Sequence, residues 1–345
     1  MSEYYYGYLG KTPDGREKQR AYHLIRQGVT ALEPSFAVPR LENEALSEVF
    51  TLVMLDHPEI FYAPGFTYSF YPQADSVELK PRYLFKKKEI QEHQKAIDAR
   101  IRKLIRPAEG LDPLGREQFV HDFICRNVRY DKLKKDYSHE IIGPLTQGVG
   151  VCEGIAKTVK VLCDALQVPC IIAFCHNNPE KGIKYRHAWN LVQLGGKYYN
   201  LDATFDNTLT AGGEVRYDYF NIDDTALRRD HEPLVWPVPA CTDKSAFYYL
   251  KQKLSFTKPE ELRSRASQAA KKNRALTFHW RGGYLTRETL KDLCAILEEE
   301  AGKQDKAASL SLNWPQAVMR VGFSPRSAGG ETQLRMEEAN EGELE

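Results

Sequence analysis

Apolar positions recur at helical spacing in some stretches of the chain and alternate in others. Residues 14–30 carry helical spacing that ends near Gly28, and a second helix is expected from Leu41 into EALSEVFTLVMLDH. The stretch PGFTYSFYPQADSVELKPRYLF alternates apolar and polar residues about a Pro/Asp/Ser turn, which predicts a hairpin. Residues 86–106 predict a basic helix with Ile90, Ile97, Ile101, Leu104 and Ile105 on one face; its charged side reads as solvated surface. PAEGLDPLGRE at 107–117 interrupts the pattern. A helix follows in REQFVHDFICRNV, where His121 and Cys125 sit one turn apart, a spacing that can pair them.

After residue 150 the pattern turns to one helix and three strands. Past 256 it gives helix, strand, helix and a strand in SLSLNW or AVMRVGF. The reading is α+β in four parts: a helical and hairpin region at 1–110, a central domain at 111–255, a small α/β appendage at 256–323 and a tail at 324–345. The tail is acidic and poor in apolar residues, so it is expected to be disordered.

Composition removes several functional classes. Apolar residues make up 42% and charged residues 28% of the 345, with net charge +1, so no global field draws the chain to nucleic acid or an anionic membrane. No run approaches the ~18 apolar residues of a membrane span, and the start lacks a signal-peptide pattern, so a cytoplasmic location is expected. Seven cysteines without a C-x-x-C pair read as reduced thiols. Cys163, Cys170, Cys175 and His176 have no recognised ligand spacing, and neither a metal nor a cofactor is expected.

TQGVGVCEGIAKTVKVLCDAL at 146–166 concentrates the candidate chemistry. Ile155, Val159, Leu162, Cys163 and Leu166 form one buried helical face, so Cys163 reads as packing. Cys152 stands instead at the helix start, where backbone N–H groups and the positive end of the dipole favour an anion. A thiol there can titrate at roughly 3.5–7.5 rather than about 8.5. Gly148 and Gly150 leave room for a substrate carbonyl, and the Cys152 N–H with the Gln147 side chain could form an oxyanion hole.

The stretch YRHAWNLVQLGGKYYNLDATFDN reads as a hairpin turning at Gly195-Gly196. With those two residues as the loop, Trp189 faces Asp202 and His187 faces Thr204. His187 and Asp202 are then diagonal neighbours on one face, with backbones about 7–8 Å apart. Asp206 is the runner-up acid. Trp189, Asn190 and Tyr199 are candidate cleft residues, although an aromatic in such a strand is more often core. Cysteine, histidine and aspartate in this combination make a thiol acyl-transfer site, although a histidine–aspartate strand pair is also an ordinary structural feature.

GVCEGIAKTVKVLCDALQVPC, HAWNLV and YYNLDATFD resemble the three motifs of the transglutaminase-like superfamily. DHPEIFY, VRYD, YDYFNIDD and PACTD look like its bacterial transglutaminase/protease-like group, related to a fungal cytokinesis protein. The likeness covers roughly 30–255. It implies a papain-like core, a nucleophile-bearing helix on an antiparallel sheet, with Cys152 as nucleophile, His187 as base and Asp202 as orienting acid. Glu153 stands where animal transglutaminases carry tryptophan, and no calcium loop is recognisable. The expected activity is attack on a peptide or protein amide through a Cys152 thioester, with hydrolysis of the cysteine peptidase or amidase type ahead of transglutamination. A catalytically silent interaction module is the alternative.

Overall fold

The chain divides into two units in a computed structural model that describes residues 3–70, 73–176, 180, 185–210, 214–325 and 333–337. The first unit holds 1–176, 186–196 and 234–238; the second holds 177–185, 197–233 and 239–345.

The first unit begins with α1 (Tyr4–Leu9), α2 (Gly15–Thr30), β1 (Phe36–Pro39) and α3 (Asn43–Asp56). The expected hairpin forms from β2 (Gly65–Phe70) and β3 (Ser76–Arg82), and β1 pairs antiparallel on the other edge of β3. Buried Asp56 gathers the three helices by accepting from Tyr5 N, Tyr6 N and Tyr22 Oη. Burial lifts its pKa to about 6 against those hydrogen bonds. The basic helix α4 (Lys87–Ile105) buries Ile90, Ile97 and Ile105. In α5 (Pro113–Asn127), capped by Asp112, the expected histidine–cysteine pair forms, with Cys125 Sγ 3.6 Å from His121 Nε2. Both residues are buried.

The rest of this unit is a helix on strands. β4 (Arg129–Tyr130) pairs in parallel with β5 (Val149–Gly150), and α6 (Cys152–Ala165) follows at once. β6 (Cys170–Cys175) and β7 (His187–Leu194) are antiparallel, from Cys170↔Val192 to Cys175↔His187. All six residues of β6 are buried, and Tyr5 Oη donates to the Ile172 carbonyl at 2.6 Å, fastening α1 to this strand.

The second unit starts with β8 (Lys197–Leu201), α7 (Ala203–Leu209), β9 (Phe220–Ile222), α8 (Asp224–Leu227) and α9 (Tyr248–Lys251). It continues with β10 (Ser255–Phe256), α10 (Pro259–Lys272), β11 (Leu276–Trp280), α11 (Arg287–Gly302), β12 (Lys306–Asn313), β13 (Val318–Pro325) and β14 (Gln333–Glu337). β10-β11-β13-β12-β14 form a five-stranded sheet. Its alternating Leu276, Phe278 and Trp280 pack with Leu262, Ala266, Leu293 and Leu297 of the two helices. A buried Arg216–Asp218 pair links this sheet to the β9 region, because Asn313 Nδ2 also donates to Asp218.

Two expectations need correction. The second strand of the HAWN…NLDATFD stretch ends at Leu201 rather than running past Thr204, because the Asp202 carboxylate caps a helix that begins at Ala203. The tail was expected to lack structure from 324, yet β13 runs to Pro325 and Gln333–Glu337 pair in parallel with Ser309–Asn313. The remainder of that tail, 326–332 and 338–345, lies outside the described residues. Among the described residues no helix is long and apolar enough to cross a membrane.

Candidate active site

Cys152 is the first residue of α6, preceded by a Val151 N-cap that supplies no side-chain hydrogen bond. Its thiol therefore sits within the first turn, where the helix dipole favours a thiolate. The chain enters this turn under tight constraint. A Cβ on Gly150 would lie 2.8 Å from Pro144 Cγ, and one on Gly154 only 2.1 Å from the Ser138 carbonyl oxygen. Gly154 thus lets the Ser138 backbone pass close by, whereas at Gly150 the space beside the Cα is taken by the Pro144 side chain. Val151 N donates to that same Ser138 carbonyl, so the 138–139 segment is pressed against the start of α6. Gln147 is exposed at the end of the Gly143–Gln147 turn, its amide 3.4 Å from Thr146 Oγ1.

The register of α6 against its strands places the two ends of interest together. Asn190 Nδ2 donates to the Ala156 carbonyl, and Lys160 Nζ donates to the Cys170 carbonyl, opposite Val192. Moving toward the start of α6 therefore moves toward the start of β7, where His187 stands. An ion pair closes that end: Arg186 Nη2 lies 2.6 Å from Glu153 Oε2, joining the residue before His187 to the residue after Cys152. Trp189 is buried and stacks on the His187 ring, centroids 5.8 Å apart and planes at 21°. Of the expected cleft residues, Trp189 thus backs the imidazole, Asn190 is buried with its amide on α6, and Tyr199 donates its hydroxyl to Asp243 in the second unit.

Glu153 is held by more than Arg186. Lys157 Nζ lies 3.0 Å from it and 2.7 Å from Glu140, and His139 Nδ1 lies 3.5 Å away. Burial opposes ionisation of Glu153, but these partners hold its carboxyl well below the usual range. Glu140 pairs with the lysine and feels His139 more weakly, and burial pushes its carboxyl up to about 7.

Asp202 belongs to the second unit. It is fully buried; Oδ1 accepts from Thr204 N and Phe205 N, and Oδ2 lies 2.9 Å from His231 Nε2. The other ring nitrogen of His231 lies 2.8 Å from Asp230 Oδ1. Asp230 Oδ2 accepts in turn from Tyr219 Oη and Gln316 Nε2. Burial would lower the pKa of His231, but the hydrogen bonds and charges of Asp202 and Asp230 outweigh it and raise the value to about 9. His231 is therefore an imidazolium clamped between two carboxylates. Asp206, the runner-up acid, is directed elsewhere: its Oδ1 accepts from Asp218 N and Tyr219 N.

Sequence reading passed over His231 and Arg186. The first lies in an irregular segment 29 residues beyond Asp202, and its one local signal is the adjacent acid in RRDHEP. The second is adjacent to His187, and its partner Glu153 was noticed only as a departure from a family pattern.

Residues 102–203 match the family model of the transglutaminase-like superfamily, so the chain carries a transglutaminase-like domain. That segment contains Cys152, His187 and Asp202 together with the helix α6 and the strands on which it packs. None of the curated proteins matches the chain. Among solved structures, a TGase is 11% identical with a TM-score of 0.28, over 49% of this chain and 50% of its own. A proposed cysteine protease from Cytophaga hutchinsonii is 14% identical with a TM-score of 0.25, over 40% of this chain and 61% of its own. The chain thus spans about half of the first and three fifths of the second, and likenesses this weak carry no argument about chemistry.

Proposed function

We propose that this protein is a thiol-dependent acyl-transfer enzyme that opens a peptide or protein amide through a thioester on Cys152. The observation that carries the reading is the joint placement of Cys152 at the opening of α6 and His187 at the opening of β7, with Glu153–Arg186 between their neighbours. In this mechanism His187 takes the thiol proton and sulfur attacks the amide carbonyl, which becomes a tetrahedral oxyanion facing the Cys152 N–H. The C–N bond then breaks, and the amine leaves with the proton held by His187. Water, deprotonated by His187, attacks the thioester, and the proton returns to the departing thiolate. Hydrolysis is preferred to amine transfer because transfer requires a shaped site for a second amine, and none is recognised among the described residues.

Asp202 is the orienting acid in this proposal, on the strength of its position in the matching sequence motif. Its own carboxylate is fixed by two backbone N–H groups and His231, which makes His231 a positioning residue acting through Asp202. A second reading, the silent interaction module, is favoured by burial: Cys152 is 8% exposed and His187 is fully covered.

One experiment separates the two. Alkylation of Cys152 by iodoacetamide is followed by mass spectrometry from pH 5 to 9, beside the other six thiols and in His187→Ala. An active site labels Cys152 first, well below pH 8, and loses that preference in the variant. Labelling no faster than Cys163, whose thiol is pushed up by its hydrogen bond with Cys170 and by burial, or Cys241, pushed up by burial, would leave the silent module standing.

A further inference from the structure

A cavity of about 690 Å³ lies wholly within the second unit, within the size range of small-ligand and peptide pockets. Four separate stretches build it: the β9–α8 corner, the segment leading into α9, the end of β11 with the Arg281–Leu285 loop, and the β12–β13 turn. None of the residues assigned to acyl transfer lines it.

Three cations converge there, Arg229, Lys244 and Arg281, against one carboxylate, Asp223. That carboxylate is already engaged, capping α8 through Ala226 N and pairing with Lys244 at 3.2 Å. Arg229 is held at the mouth by a 3.0 Å hydrogen bond to the Pro315 carbonyl. The field of the three cations is felt by His279 on the wall. Burial first, then Arg229, Arg281 and Lys244, depress its pKa to about 4 although Asp218 pulls the other way. A site this positive favours an anion.

The remaining wall is aromatic and in part exposed. Tyr284 is 95% and Trp314 40% exposed, so neither is explained by core packing, and Phe247 lies behind them. Trp280 is 4% exposed, yet its indole N–H is buried with no acceptor among the described residues.

We propose that this cavity binds an acidic peptide segment with an apolar side chain, supplied by a partner. The arginines take its carboxylates in bidentate fashion, and Tyr284 and Trp314 cover the apolar side chain. A peptide fits better than a nucleotide because the cations are spread over three stretches of the rim rather than gathered at a glycine-rich helix start. The inference is independent of Cys152, since it concerns binding alone.

The test is calorimetric titration of the full chain with the capped peptide EELFEE, beside KKLFKK, EEAAEE and ADP. Micromolar binding of EELFEE is expected, weakening with added salt, at least tenfold weaker for EEAAEE and absent for KKLFKK. Arg229→Glu with Arg281→Glu, both exposed, should abolish it while circular dichroism stays unchanged, and Trp314→Ala should weaken it several-fold. Binding that survives the double charge reversal, or no binding at millimolar peptide, would overturn the proposal. So would tighter binding of ADP than of EELFEE. The chain's own EEANEGELE at 337–345 carries the same chemistry. A variant with Glu338, Glu341, Glu343 and Glu345 changed to Gln covers that source. If this variant binds EELFEE more than tenfold tighter than the parent, the occupant is the chain's own segment and a partner in trans is refuted. Equal affinity supports the partner.

Discussion

Glu153 and Asp202 are largely buried carboxylates, one in each unit, and they are held by different kinds of cation. Against burial, Glu140 and Glu153 raise the Lys157 pKa above the ordinary lysine value, so Lys157 keeps its charge through the neutral range and the clamp on Glu153 with it. The clamp on Asp202 depends instead on the His231 imidazolium, which titrates at about 9. The two networks look alike as lists of ion pairs. They differ in what pH does to them, and in where the burden falls when one member is removed.

Removing Asp202 is the strongest way to break the comparison. Asp202→Ala takes away the α7 cap and leaves buried His231 facing one carboxylate instead of two. Loss of a buried partner and a cap together is expected to cost about 5 kcal/mol in urea denaturation. Lys157→Met makes the matching cut in the other network. It strips Glu140 of its one lysine and leaves Glu153 with Arg186 and His139, for an expected loss of about 4 kcal/mol. A loss below about 1 kcal/mol in either variant would mean that the removed group was compensated by water.

His231→Gln sharpens the difference rather than breaking it. Glutamine can still donate to Asp202, but it carries no charge. Because the folded pKa of His231 is raised from 6.5 to about 9, its contribution is complete below pH 6.5 and is lost as pH climbs through 9. A shift of that size corresponds to about 3 kcal/mol. The parent protein should therefore lose stability between pH 6.5 and 9, and the variant should be nearly flat there. Glu140, raised from 4.5 to about 7 by burial, lowers stability as pH rises from about 4.5 to 7, so the two windows barely overlap. If the variant shows the same slope above pH 7 as the parent, His231 is not charged in the folded protein. A proposed positioning role adds a second readout: the acid limb of Cys152 alkylation should move to higher pH, since Asp202 loses its nearest cation.

Much of this architecture is legible in the sequence because it follows local periodicity. The 14–30 and 86–106 helices, the 65–82 hairpin, and α10 through α11 with the strands around them follow from apolar spacing and turn residues. Of the two alternatives for the last strand, both form, as β12 and β13. Cys152 is legible because a glycine-rich approach and a helical face announce a helix start. What is hidden depends on partners far along the chain. Asp202 looks like a strand residue until its carboxylate is seen capping a helix, and no local pattern brings His231 to it. The cavity behind Tyr284 draws on four stretches from 222 to 317, each unremarkable alone. The units themselves are discontinuous, which no composition boundary reveals.

The smallest stability effect belongs to Arg186, and that is why it is informative. Its side chain is half exposed, so its pair with Glu153 is screened, and Arg186→Ala should change unfolding free energy by less than about 1 kcal/mol. Glu153 keeps Lys157 and His139, so the lysine clamp survives. What the variant loses is the one cross-link between the residue after Cys152 and the residue before His187. If that link sets how the imidazole meets the thiol, Cys152 alkylation near pH 7 should slow by roughly tenfold with stability intact. Arg186→Lys should recover part of the rate, because an ammonium can still reach Glu153 without the planar fork. An unchanged rate in Arg186→Ala would assign the alignment of the two residues to the α6–β7 packing alone, through Asn190 and Ala156.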